Sequence, residues 1–346
     1  AFRDSLYAML KRNTFLNIKF ENMLDTLGEM SRTDLYSYLK EWEQLTPLPF
    51  YSIGEPELTK VVNKGGEEFF VLKVLVSNNS DYDGIIQMNV LQNGWWYQPM
   101  EDPRARKKVE IAAHTSKEFV SVWEEQIRDV EINTMVSGNL PYMIRQSIGN
   151  VKQERNKIVK DTIYTLPESS LEMPGEVIVD NEDSTLFVLS TPAVVGLLPK
   201  WLDKVEDTSF KYSGISWWRA PLQWTATTNA KYYGKYIRSA YVIKSGDGSQ
   251  TATWKIPVPE AGQYELYYHV FKDDELRWND RLQGEYHFRV AYDSEMEDAY
   301  INLRKANEGW EQLGTYYFSA DTVRVVLTDE CKLRSVTADA VKIVKR

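Results

Sequence analysis

The apolar positions change period along the chain. In residues 1–48 they recur three and four apart: Leu6, Met9 and Leu10, then Phe20, Met23, Leu24 and Leu27. That spacing lines one face of a helix. A third helix is predicted from Ser31-Arg32-Thr33-Asp34, a capping-box pattern, through Leu35, Tyr38, Leu39, Trp42 and Leu45. Pro47 and Pro49 end it. Three short helices bury little surface by themselves, so the block 1–50 is expected to dock on a partner.

From residue 51 the period falls towards two. Residues 61–78 (Phe69, Phe70, Val71, Leu72, Val74, Val76), 85–91, 109–111, 118–123 and 130–132 are rich in β-formers, with Asn, Gly and Asp between them. Short strands at this spacing predict an immunoglobulin-like β-sandwich over residues 51–165. The polar stretch 150–175, with Pro167 and Pro174, reads as an irregular extension, its linker proper at 166–175. Alternation returns from Glu176. Tyr264, Leu266, Tyr268 and Val270 form one such series, and Tyr286, Phe288, Val290 and Tyr292 another. Val323, Val325 and Leu327 follow, then Val341 and Ile343. A second sandwich is predicted over 176–346, with turns at Gly246-Asp247-Gly248 and Pro259-Glu260-Ala261-Gly262. Residues 188–202 read as a short helix or a packing loop. The expected fold class is mainly β, a helical start followed by two β-sandwiches.

Composition narrows the function classes. The 346 residues carry a net charge of −9, and no segment is basic enough for a nucleic-acid footprint. No apolar run approaches the ~18 residues of a membrane span. The single cysteine, Cys331, allows no internal disulfide and no Cys-based metal cluster. Ala1-Phe2-Arg3-Asp4 lacks an initiator Met and a signal-peptide pattern and is already helical in character, as expected of a piece of a longer chain.

Catalytic motifs are absent from the pattern. His114, His269 and His287 stand in no zinc-binding spacing, and there is no phosphate loop, dinucleotide fingerprint or nucleophile elbow. His269 and His287 alternate with core positions, which favours satisfied or exposed strand histidines over ligands. Asp273-Asp274-Glu275 and Asp280, around Arg277 and Trp278, give a weak case for a two-carboxylate hydrolase and a better one for calcium. Asp180-Asn181-Glu182-Asp183 is a second acidic cluster, so Asp180, Asp183, Asp273 and Asp274 are the candidate calcium ligands. Aromatics, at 13% with eleven Trp, are the richer signal. Trp95, Trp96 and Tyr97 follow a strand, Trp217 and Trp218 precede Trp224, and Trp278 sits in the acidic loop. Exposed, such rings stack on sugars or anchor a protein contact; buried, they fill a core.

Two resemblances add to this reading. An ordered series runs from Val177-Ile178-Val179-Asp180-Asn181 through Tyr232-Tyr233-Gly234, Tyr236 and Ala252-Thr253-Trp254. It continues with Pro259-Glu260-Ala261-Gly262-Gln263-Tyr264-Glu265-Leu266, Gly309-Trp310-Glu311-Gln312-Leu313-Gly314-Thr315-Tyr316 and Ala338-Asp339-Ala340-Val341. In this, residues 176–346 resemble the golvesin C-terminal-like domain, also found beside bacterial lyases related to xanthan lyase. The resemblance implies a jelly-roll sandwich of carbohydrate-binding-module type in an accessory, non-catalytic role. Residues 188–216 depart from the family's short connection. The first half is similar to the tail of an aminopeptidase N-like gluzincin. Thr33-Asp34-Leu35-Tyr36-Ser37-Tyr38-Leu39-Lys40-Glu41-Trp42 with Pro47 and Pro49 fits its closing helix, and residues 58–140 fit the sandwich after it.

That second resemblance implies a parent whose zinc-binding H-E-x-x-H helix precedes Ala1, in some bacterial proteins fused to an ABC-transporter permease-like region. The expected function is a non-catalytic C-terminal region of a membrane-anchored peptidase-like protein on the periplasmic side. It would dock on the absent catalytic-like domain and bind a glycan, peptide or protein. No cofactor is expected in the fragment beyond calcium, zinc belonging to the absent domain, and the membrane is reached only through the parent. The alternative is a stand-alone extracytoplasmic carbohydrate-binding protein.

Overall fold

The computed structural model describes residues 2–14, 18–32, 34–35, 48–92, 102–148, 151–156, 159–168, 171, 175–190, 211–215, 219–272, 284–293 and 295–346. They fall into two compact units, Ala1–Leu48 and Pro49–Arg346. In the first unit, helix α1 (Phe2–Arg12) buries Met9 and helix α2 (Phe20–Ser31) buries Leu24 and Leu27, as their spacing predicts. Leu10 and Phe20 are exposed, so the apolar stripe is narrower than expected. The Ser31 hydroxyl donates to the Leu27 carbonyl (2.6 Å), and Arg32 closes α2 in the left-handed conformation, its N–H donating to the Gly28 carbonyl. The predicted third helix lies almost wholly outside the described residues.

The second unit is built of strands. Its first half holds β1 (Tyr51–Ile53), β2 (Glu57–Val62), β3 (Glu68–Asn78), β4 (Gly84–Gln92) and β5 (Arg106–Ile111). It continues with β6 (Thr115–Trp123), β7 (Ile127–Asn133), β8 (Met143–Ser147), β9 (Val151–Arg155) and β10 (Thr162–Pro167). Six of these form one sheet in the order β10-β6-β3-β2-β9, with β1 also on β3, and four form another, β5-β4-β7-β8. Leu58, Leu72, Val74, Val76, Phe119 and Trp123 of the first sheet share one buried cluster with Ile86, Met88, Val90, Ile127, Val130 and Ile132 of the second. Fully burying each such side chain contributes about 1.5–3 kcal/mol. Val61, Val71 and Val120 form a smaller cluster covered by Phe69 and Val159, which is why β3 reads as a nearly continuous apolar run.

The polar stretch 150–175 is not irregular where it is described. β9 pairs in parallel with β2, and β10 antiparallel with β6. Both are outer strands, exposed along most of their length, and so lack the alternation that marked the inner ones.

The second half comprises β11 (Glu176–Val179), β12 (Phe187–Leu189), β13 (Thr225–Thr228), β14 (Ser239–Lys244), β15 (Thr251–Pro257) and β16 (Gly262–Val270). After these come β17 (Glu285–Tyr292), β18 (Glu295–Asn302), β19 (Gly309–Phe318), β20 (Thr322–Thr328), β21 (Ser335–Ala338) and β22 (Val341–Lys345). They form three sheets: β11-β22-β16-β19, β12-β15-β20-β17-β18 and β13-β14-β21. All three feed one core that includes Trp254, Tyr268, Phe288, Phe318, Val325, Ile243 and Val336. Two of its buried polar tips are satisfied across strands: Trp254 Nε1 donates to the Asp339 carbonyl (3.3 Å), and Tyr286 Oη accepts from Thr337 N (3.0 Å).

The unit therefore contains five sheets rather than two sandwich domains. The third sheet of this half escaped prediction because Thr225–Thr228 and Ser335–Ala338 are too short to show a period.

Candidate functional site

Four strand ends meet at one end of the β11-β22-β16-β19 sheet. Val179, the last residue of β11, pairs with Val341, the first of β22, and Val341 also pairs with Tyr268 near the end of β16. Beside it His269 pairs with Trp310 at the start of β19. The register thus brings together residues far apart in sequence: Asp180 just after β11, Asp339 just before β22, His269 and Trp310. The segment leading into β14 crosses this end and supplies Tyr233 and Arg238.

Asp339 is the centre of the group and is fully buried. Its Oδ2 is 2.8 Å from His269 Nδ1, and both carboxylate oxygens accept from Tyr233 N at 3.2 Å. Burial pushes the Asp339 carboxyl above the usual carboxylate range, against the pull of the His269 hydrogen bond and charge. Asp180 is pushed well above that range by burial and then by the Asp339 charge. The Arg238 guanidinium is attracted by both carboxylates without an ion-pair contact to either; burial lowers it to about 10 against that attraction. The rings of Tyr233, His269 and Trp310 lie over this group, with centroids 5.0 to 5.8 Å apart. Lys342 Nζ sits 4.8 Å from the Trp310 ring and 3.0 Å from Glu176.

The same segment joins the two halves of the unit. Leu140 N donates to the Tyr236 carbonyl (3.0 Å) and Arg238 N to the Leu140 carbonyl (2.7 Å), a parallel bridge centred on Ile237. Phe50 and Tyr236 pack at 5.3 Å. Gln146 on β8, with its oxygen towards Arg238, accepts from Nη2 at 3.3 Å and donates to the Gly54 carbonyl at 3.1 Å. Gly234 permits the turn: its φ is +151°, and a Cβ there would lie 1.9 Å from the Ile237 oxygen. Chemically this is a buried, charge-compensated lock with a half-exposed aromatic edge.

Of the predicted site residues, Trp95, Trp96, Tyr97, Trp217, Trp218, Trp278, Asp273 and Asp274 lie outside the described residues. Asp180 and Asp183 fall together in one turn. Asp183 Oδ2 accepts from Asp180 N (2.9 Å) and Asp180 Oδ1 from Asn181 N (2.7 Å). Asn181, with its amide oxygen towards Ser239, accepts from Ser239 Oγ (2.7 Å) and donates to the Ser239 carbonyl (2.7 Å) and Asp180 Oδ1 (2.8 Å), while Ser239 Oγ also lies against the Glu182 carboxylate. Burial raises the Glu182 carboxyl, but hydrogen bonds from Lys211, Ser239 and Tyr212 outweigh it and hold it below its usual range. Among the described residues no group of three or more His, Cys, Asp or Glu is placed to hold a metal ion.

All three histidines are held by carboxylates, and His269 and His287 are the satisfied strand residues that their positions predict. His114 lies between Asp81 (2.8 Å) and Glu168 (2.7 Å), and hydrogen bonds to these two raise its pKa. His287 lies between Asp298 (2.7 Å) and Glu330 (3.2 Å). Arg238 and His269 carried no sequence motif that assigned them a role. Tyr233, Trp310 and Asp339 did stand in the ordered series, but only the strand register shows that they meet.

The chain is thus mainly β with a short helical start, and its site is a lock with an aromatic edge. A Golvesin C-terminal domain is found at residues 217–345. The match begins later than the resemblance from residue 176, although β11 pairs with β22 inside the same core. No curated protein matches significantly in sequence.

Among solved structures, a Bacteroides uniformis β-glucuronidase is similar at 11% identity over 91% of this chain and 32% of that one, with a TM-score of 0.23. A second, covalently bound to cyclophellitol-6-carboxylate aziridine, gives the same values. The chain spans about a third of the length of these enzymes. A structure of Sulfolobus turreted icosahedral virus matches at 10% identity over 87% of this chain and 94% of that one, with a TM-score of 0.18. Likenesses this distant carry no argument. The aminopeptidase-like parent and the permease fusion find no support in these comparisons. Among the described residues no helix is long and apolar enough to cross a membrane.

Proposed function

We propose that Pro49–Arg346 is a non-catalytic accessory unit that binds carbohydrate and presents it at a fixed orientation. The observation that carries this reading is the Golvesin C-terminal domain at 217–345, held by the buried Arg238–Asp339 group and the Leu140–Ile237 bridge to the sheets before it. A lock of this kind suits positioning, since a buried ion pair adds geometry more readily than stability. His269 Nδ1 and the Asp339 carboxylate hold each other at 2.8 Å.

The aromatic residues Trp95, Trp96, Tyr97, Trp217, Trp218 and Trp278 are the proposed contacts of a neutral sugar, by the general affinity of sugar rings for exposed aromatic faces. Equilibrium binding of the chain to a panel of plant and bacterial polysaccharides tests the reading. Saturable binding weakened by Trp95→Ala or Trp218→Ala is the expected result, and no binding across the panel overturns it. Service to a larger extracytoplasmic peptidase-like protein is a separate part of the proposal, supported by the 33–49 pattern alone. Zinc-dependent aminopeptidase activity of the parent chain tests that part.

A further inference from the structure

The outer face of the β12-β15-β20-β17-β18 sheet carries charge that the fold does not use. Trp254 and Ile256 on β15, Val323 and Val325 on β20, and Phe288 and Val290 on β17 all point into the core. The residues between them therefore project from the opposite face. Register places Lys255 opposite Arg324, Arg324 opposite Ala291, and Arg289 opposite Val326. Three cations thus cluster on three adjacent strands. Arg324 is exposed, and Lys255 and Arg289 are partly so.

Among the described residues none of the three side chains has a hydrogen bond or ion pair. Asp298, opposite Arg289 in register, gives its carboxylate to His287, as does Glu330. Like charges directly across a strand pair destabilise it. Lys255 facing Arg324, in a chain of net charge −9, is an arrangement that an anion would relieve.

The next row of the same face, about 7 Å along the strands, supplies a platform. Tyr300, 56% exposed, lies parallel to His287 with centroids 4.9 Å apart and planes 9° apart. His287 is clamped by its two carboxylates, so the pair is held in place.

Resting on the proposed carbohydrate-binding role, we propose that this face binds an acidic polysaccharide. Arg289, Arg324 and Lys255 would take its carboxylate or sulfate groups and Tyr300 would stack on a neighbouring sugar ring. The exposed Tyr300 ring, one row from the cations, favours a glycan over an anionic membrane surface, which offers no ring to stack. Three cations beside Asp298 and Glu330 do not make the continuous basic stripe that a nucleic acid needs.

The test uses the whole chain and polygalacturonate, with its methyl ester as the uncharged counterpart. Dextran sulfate against dextran separates sulfate from carboxylate recognition. Binding to one charged polymer at least about tenfold tighter than to its uncharged counterpart is expected, weakening as NaCl is raised. Arg289→Gln with Arg324→Gln should remove most of that preference at unchanged melting temperature, and Lys244→Gln, on another sheet, should not. Equal binding of charged and uncharged polymers, or a preference that survives Arg289→Gln with Arg324→Gln, overturns this inference and leaves the carbohydrate-binding role standing. Equal or tighter binding to phosphatidylserine vesicles or single-stranded DNA also overturns it. Failure to bind any glycan removes both.

Discussion

Replacing Asp339 by Asn tests whether the buried group is a coupled lock. The side chain keeps its shape and one oxygen acceptor, but the negative charge facing Arg238 is gone. The guanidinium then stays buried without its main counter-charge, beside an Asp180 whose carboxyl is already pushed towards the neutral form. Asp339 holds His269 Nδ1 at 2.8 Å and acts on Arg238 through its charge alone; removing one member of such a buried charged group costs about 3–5 kcal/mol, a large share of the roughly 5–15 kcal/mol by which domains are stable. In a unit this size that corresponds to a fall of roughly 5 to 8 °C in Tm. Urea and thermal unfolding, followed by far-ultraviolet circular dichroism, read it directly. Arg238→Met removes the partner charge while conserving much of its volume. The double variant should be less destabilised than the two single losses together, by about 1–3 kcal/mol. A loss below about 1 kcal/mol for Asp339→Asn, or additivity within about 0.5 kcal/mol, refutes the coupling.

Other perturbations probe different links. Gly234→Ala places a Cβ against the Ile237 oxygen at a φ that favours glycine, and should cost at least about 2 kcal/mol in the same unfolding assay. Asn139 bridges Tyr51 as a strand would, its Oδ1 accepting from Tyr51 N (2.9 Å) and its Nδ2 donating to Tyr51 O (2.8 Å). Asn139→Ala leaves both buried groups unpaired and should cost about 2–4 kcal/mol; a change within 0.5 kcal/mol of zero would contradict the assignment. His114 should titrate above the ordinary imidazole value because Asp81 and Glu168 stabilise its protonated form. Its contribution to stability is then complete below the unfolded pKa of about 6.5 and is lost as pH rises through the raised folded value. Nuclear magnetic resonance titration should show that pKa fall in Glu168→Gln, and no movement would contradict the clamp.

The inner strands were legible because burial imposes alternation. Tyr264, Leu266, Tyr268 and Val270 are all fully buried on β16, and Phe288 and Val290 on β17. Edge strands were not: β9 and β10 meet solvent over much of their surface, and their polar residues look like linker. The number of sheets was hidden for another reason. Periodicity reports which face of a strand is buried, whereas Leu140 meeting Ile237, or Val179 meeting Val341, is set by long-range register. The lock shows the same limit. Asp180, Tyr233, Trp310 and Asp339 could each be marked in the sequence, but Arg238 became visible only through the low-dielectric setting that register creates.

The most direct test of the central account is equilibrium binding of the intact chain to a polysaccharide panel, with product analysis of the same samples. The account predicts saturable binding to at least one glycan and no released sugar or shortened chain. Turnover of any glycan, or the absence of binding across the panel, contradicts it.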